Sequence, residues 1–309
     1  MTILPQWKLA RQARLGLTFT VIVQDGAGLI KPLTALLCLL LPLTWSASSQ
    51  AKPDNTLACP VPKSQLGEYG PALAYGPALA IVIDDLGYRL QPAYELIELQ
   101  SKLTLSIIPF TPYSKRMAEL ANQAFLEVMV HAPMETLEPR PWEPALMSNM
   151  TEQEVSQLSL DMLDAVPYAK GLNNHGGSLL TQRHEHMSWL MNVLAQQHLY
   201  FVDSKTTAES VASRQATETG IPNHSRDIFL DNIREPQAIE KQLLKAEKIA
   251  QRDGLALAIG HPHPETLEVL REQLPKLRER GITLVTVSEL LEMSKNRTNY
   301  ARQANQAAE

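Results

Sequence analysis

The stretch Leu79-Ala80-Ile81-Val82-Ile83-Asp84-Asp85-Leu86-Gly87 decides the fold. Five apolar residues in a row, with no polar alternation, describe a strand covered on both faces, as in a parallel sheet. Two acids follow at its end. Similar runs recur downstream: LTLSII (103–108), FLEVMV (125–130), AKGLN (169–173), LYFV (199–202), DIFL (227–230), LALAIG (255–260) and ITLVTV (282–287). Helical stretches lie between them. Thr151-Glu152-Gln153-Glu154 is a capping box that opens a helix to about Ala165. Residues Thr181 to Gln197 and Glu235 to Asp253 have helical spacing, the latter stopped by Gly254, and Glu265 to Arg280 stops at Gly281. Strand alternating with helix seven or eight times predicts an α/β chain, a (β/α) barrel in a single domain over 79–293. A doubly wound open sheet is the alternative.

The expected strand ends carry the chemistry. They are Asp84-Asp85, His131, Asn173-Asn174-His175, Asp203, Asp231 and His261-Pro262-His263. In a (β/α) barrel the C-terminal strand ends converge, so residues distant in sequence form one cluster. Asp and neutral imidazole suit a zinc-like divalent ion, and three protein ligands leave an open position for catalysis. Buried acids also need such a partner to offset desolvation. Asn174, beside Gly176 and Gly177, is expected to contact substrate. Trp142, in the Pro-rich loop from Pro133 to Asn149, is expected to wall a sugar-binding groove. Glu135 is read as orienting a neighbour more than as a ligand. His184 and His186 sit two apart on an expected helix, where side chains diverge, and receive no role.

Composition narrows the partners. The chain has 309 residues, a formal net charge of −5 and a pI near 5.9, which argues against a nucleic-acid surface. There is no nucleotide-binding glycine fingerprint, P-loop or Gly-x-Ser-x-Gly elbow, so no nucleotide is expected. Two cysteines, Cys38 and Cys59, cannot build a disulfide framework.

The N-terminal region reads as an address. Leu33 to Trp45 is a 13-residue apolar stretch, preceded by Lys31 and followed by Ser-Ala-Ser-Ser-Gln-Ala. That is the pattern of a secretory signal over 1–51, with an uncleaved anchor as the alternative. A Pro/Gly/Ser-rich linker over 52–78 follows, and 294–309 is read as a polar, flexible tail. The expected location is periplasmic or secreted, in association with the envelope.

Six segments together resemble a known family: AIVIDDLG (80–87), MVHAPME (129–135), GLNNHGGS (171–178), FVDSKT (201–206), RDIFLD (226–231) and AIGHPHPET (258–266). They are similar to the divergent polysaccharide deacetylases, a remote branch of the NodB-homology carbohydrate esterases, over about Leu79 to Leu291. The resemblance implies a distorted, NodB-like (β/α) barrel and a metal-dependent hydrolase that removes acetyl groups from an N-acetylated polysaccharide, with peptidoglycan one such envelope glycan. It implies Asp84 as the catalytic base, Asp85 and His131 as metal ligands and His261 as the catalytic acid. The usual second histidine, four residues after the first, is Glu135 here, and the family's Arg-x-Pro-Tyr-Gly segment is replaced by Asn-Asn-His-Gly-Gly-Ser. His175 is read as the replacement ligand for zinc or a similar divalent ion. Two further readings stay open: a glycan-binding protein that keeps the fold without turnover, and another metallohydrolase such as a phosphoesterase. The signal pattern predicts cleavage after Ala51; N-terminal sequencing of the exported protein should begin at Lys52, and an intact chain starting at Met1 would refute it.

Overall fold

The computed structural model describes residues 76–139 and 144–306. The signal region, the linker as far as residue 75 and Trp142 lie outside the described residues. In chain order the elements are β1 (Ala78–Leu86), α1 (Gln91–Glu98), β2 (Thr104–Ile107), α2 (Ser114–Gln123), β3 (Glu127–Met134), α3 (Glu152–Ala165), β4 (Ala169–Gly176), α4 (His184–Gln196), β5 (Tyr200–Asp203), α5 (Ala212–Thr219), β6 (Asn223–Ser225), β7 (Ile228–Phe229), α6 (Pro236–Asp253), β8 (Leu255–Gly260), α7 (Pro264–Glu279), β9 (Thr283–Val285) and α8 (Val287–Gln306). All strand pairs are parallel, in the order β6-β5-β4-β3-β2-β1-β8-β7, with β9 paired to the start of β1. The strands curl into the expected distorted (β/α) barrel.

The two ends of the curled sheet, β6 and β7, are not paired with each other and are linked by one short segment of chain. β6 and β7 are separated by Arg226 and Asp227 alone. The Arg226 N–H still donates to Asp203 O of β5 (2.9 Å), and the next N–H, of Asp227, donates to Leu257 O of β8 (2.9 Å). The strand thus changes partner between two consecutive residues. Apolar periodicity locates β7 but not β6, because β6 reads Asn-His-Ser and has no apolar face.

The expected helix boundaries are close to those observed. Thr151 accepts from the Glu154 N–H while Glu154 reaches back to the Thr151 N–H, which completes the capping box of α3. α6 and α7 both start on proline, which leaves unused a donor that has no helical partner there. The 181–197 stretch divides into a 3-10 turn (Leu180–Gln182) and α4. From Ser294, where the sequence suggests a tail, the chain continues α8 to Gln306, and Arg297 donates to the carbonyls of Asp253 and Gly76.

The continuous apolar character of β1 has a simple origin. Leu79, Ile81 and Ile83 pack outward into the layer shared with the helices. Ala78, Ala80 and Val82 belong to a second cluster with Met129, Val202, Leu257 and Ile259, inside the barrel. Both sets are buried, so both are apolar.

Gly87 turns the chain out of β1 at φ +123°, a region closed to L-residues without strain. A Cβ there would lie 2.2 Å from Thr111 Oγ1 and 3.1 Å from Ile108 O. Gly87→Ala should therefore cost about 1–3 kcal/mol, a combined overpacking and backbone penalty. Urea unfolding measures this, and an unchanged midpoint would refute it.

Candidate active site

Strand alternation carries the barrel interior into the site. Side chains two apart on a strand share a face. The interior positions Val82, Met129 and Ile259 are followed, two residues on, by Asp84, His131 and His261. Asn173 pairs in register with His131 across β3 and β4, and His175 lies two residues further along β4. Asp85 has the wrong parity, since Ile81 and Ile83 before it face the helices. The β1–β2 register shifts between Ile83 and Leu86, and Asp85 adopts φ +58°. This bulge re-aims a side chain that a regular strand would send outward. An aspartate in the left-handed region costs energy and persists only where its surroundings fix it, as at functional sites.

The result is a tight triangle. His131 Nε2 lies 3.2 Å from Asp85 Oδ1, His175 Nδ1 lies 3.1 Å from the same oxygen, and the two nitrogens are 2.9 Å apart. Asp85 Oδ1 is buried and has no hydrogen bond of acceptable geometry among the described residues. The neighbouring network settles what these atoms carry. Asp84 Oδ1 accepts from Asn173 Nδ2 at 2.8 Å. A carboxylate accepts only, so the amide nitrogen of Asn173 must face it, and Oδ1 faces the other way. That oxygen accepts from Ser106 Oγ (2.7 Å) and from His131 Nδ1 (2.8 Å). His131 therefore holds a proton on Nδ1 and, as neutral imidazole, presents a lone pair from Nε2 to Asp85. Lone pairs about 3 Å apart repel unless positive charge lies among them, and an ion about 2.0–2.1 Å from each nitrogen and oxygen spans such a triangle. Without an ion, protons take that place. Burial raises the Asp85 pKa, but His131 and His175 outweigh it and hold the carboxyl well below its usual range. Burial lowers the His131 pKa, but Asp84 and Asp85 leave it raised. The donor set fits a zinc-like ion.

A second unit faces the first. His261 Nδ1 lies 2.9 Å from Asp231 Oδ1, and Asp231 Oδ2 accepts from the His261 N–H and from Thr266 Oγ1. Asp231 is buried and holds the imidazole so that Nε2 lies 3.7 Å from Asp85 Oδ2. Burial lowers the His261 pKa, but the Asp231 hydrogen bond and the charges of Asp84, Asp85 and Asp231 carry it to about 9. These groups favour the charged, proton-bearing form of His261. Asp84, Asp85, His131, His175 and His261 line one cavity of about 460 Å³.

Asp231 and Asn173 received no role from the sequence, although both stand at the noted strand ends. Asn174, expected to contact substrate, lines the same cavity, and its side chain also ties the loops: Nδ2 donates to Gly176 O (2.7 Å) and Oδ1 accepts from the Ser204 N–H (2.9 Å). Glu135 is outside the triangle, where Oε2 accepts from the Ser148 N–H and orders the returning loop. His184 meets Arg214 and His186 packs against Trp189, both on or beside α4.

Comparisons with known proteins give the family and the fold. A family model described as divergent polysaccharide deacetylase matches residues 81–291. The chain belongs to that family. It is 37% identical over 214 residues to the uncharacterized protein YibQ of Escherichia coli (strain K12), covering 69% of this chain and 67% of that protein. It is 35% identical over 213 residues to an uncharacterized protein of Haemophilus influenzae, covering 69% and 76%. The crystal structure of uncharacterized protein ATU2773 from Agrobacterium tumefaciens C58 has the same fold, with a TM-score of 0.67 at 22% identity, over 72% of this chain and 95% of that one. The triangle predicts about one zinc-like ion per chain. Asp85→Ala, His131→Ala and His175→Ala should each lower metal occupancy at least tenfold, the scale of losing an essential ligand contact. Glu135→Ala should keep the ion. Elemental analysis after gel filtration reads this, and the reverse pattern for His175 and Glu135 would refute it.

Proposed function

We propose that this protein removes acetyl groups from an N-acetylated polysaccharide, with a divalent ion such as zinc held by Asp85, His131 and His175. The observation that carries the reading is the division of labour in the cavity: a metal-type donor triangle lies between a buried carboxylate, Asp84, and a separately held imidazolium, His261. Family membership supplies the polysaccharide class. The secretory pattern at 33–51 favours a glycan of the envelope.

When bound, the ion lowers the pKa of a coordinated water and polarises the acyl oxygen. The chain's own groups do the rest. Asp84 takes the proton of the attacking water as oxygen adds to the acyl carbon. Asn173 donates to one Asp84 oxygen, which fixes the carboxylate and leaves the other oxygen to act. His261 Nε2 gives its proton to the amine nitrogen as the C–N bond breaks, and Asp231 keeps Nδ1 bound throughout. The products are acetate and a free amino sugar.

Asp84→Asn keeps the shape and removes the base. It should retain metal while kcat falls about 100-fold or more, the usual scale for a positioned acid or base. His261→Gln should lose a similar factor on amides and less on substrates with better leaving groups. The assay is acetate release from N-acetylated oligosaccharides by the metal-loaded protein. Loss of metal in Asp84→Asn would exchange the roles of the two aspartates, and a wild type that binds such a glycan without releasing acetate would leave a binding protein.

A further inference from the structure

One wall of the cavity carries positive charge that the proposed chemistry does not use. Lys205 and Arg226 are among the cavity's lining residues, and the Arg226 charge is partly offset by Asp84, Asp203 and Asp227. Lys205 has φ +48°, a left-handed conformation unfavourable for a long side chain. Its surroundings hold it there. The Lys205 N–H donates to Asp203 Oδ1 (2.9 Å), and its carbonyl accepts from Arg226 Nη2 (3.1 Å). On the residue before it, the Ser204 N–H donates to Asn174 Oδ1 (2.9 Å), and the Ser204 carbonyl accepts from Arg226 Nε (2.8 Å). On the residue after it, Thr206 Oγ1 donates to Gly176 O (2.7 Å). Asp203 is itself buried and clamped by Ser210 Oγ. The backbone around Lys205 is thus pinned on both sides in a costly conformation. Yet the Lys205 ammonium meets no hydrogen-bond or ion-pair partner among the described residues. Arg226 spends its donors on carbonyls and forms no ion pair within 4.0 Å among them either.

A strained backbone held by five hydrogen bonds thus sets an exposed ammonium, without a hydrogen-bond or ion-pair partner among the described residues, at the cavity. We infer that Lys205, backed by the Arg226 charge, recognises a carboxylate on the glycan, beside the acyl group to be removed. This assignment rests on the proposed reading of the site and names its substrate class: an acidic N-acetylated polysaccharide rather than a neutral one. Arg226 acts as a positioning residue that holds the Lys205 loop and adds to its field. A charge-assisted contact of this kind is worth about tenfold in affinity, or about 1.4 kcal/mol, and weakens with salt.

The test compares two N-acetylated oligosaccharides of equal length, one carrying a carboxylate on each repeat and one neutral. Calorimetric titration into the full protein gives their dissociation constants, and acetate release is followed in parallel. The carboxylated oligomer should bind about tenfold more tightly at low salt. Lys205→Gln should abolish that preference and Lys205→Arg should largely restore it, with circular dichroism confirming the fold of each. Equal binding of the two oligomers, no binding of either, or a preference that survives Lys205→Gln would overturn the inference. Acetate release with equal binding leaves the deacetylase reading intact and removes this one. Lys205-dependent preference without acetate release does the opposite.

Discussion

The site depends on the carboxamide of Asn173. It is buried, and it connects three strands and a loop: Ser106 of β2, His131 of β3, Asp84 of β1 and Ser204 after β5. Its orientation has one solution, because a carboxylate on one side demands the NH2. That solution passes to His131 as a fixed tautomer and to Asp84 as a fixed carboxylate. An aspartate in its place would set two buried negative charges against each other, and a leucine would leave several polar groups without partners. One side chain thus orients both Asp84 and the candidate ligand His131.

Much of this was legible in the sequence, for reasons that differ by element. Uninterrupted apolar runs marked the strands because a barrel covers both faces of each. Aspartate and histidine at the ends of those runs were visible because nothing else calls for them there. Parity alone places Asp84, His131 and His261 inward, once β1, β3 and β8 are known to share an interior. The grouping of His175 with Asp85 and His131 followed the family resemblance, and the distances agree with it.

What was not legible depends on contacts between distant segments. β6 is short and polar, so no periodicity reveals it; it forms because β5 offers an open edge. The parity of Asp85 is a bulge, which a one-dimensional pattern cannot show. Asn173 and Asn174 look interchangeable in sequence. Strand alternation sends the first to the Asp84–His131 network, while the second ties the loops after β4 and β5. Asp231 was visible as a strand end, but its role exists only through His261, thirty residues on.

The partner exchange between Arg226 and Asp227 has a consequence for how the molecule is made. β1 pairs with β8, and β7 pairs with β8, so the barrel has no complete wall until residue 260 has been laid down. A chain emerging from its N-terminus carries β1 as an apolar strand with a bare edge while some 170 residues follow it. Pairing along that edge of β1 therefore waits until β8 has been made. The polar β6 suits such a wait, because an unpaired Asn-His-Ser edge offers little for another chain to adhere to.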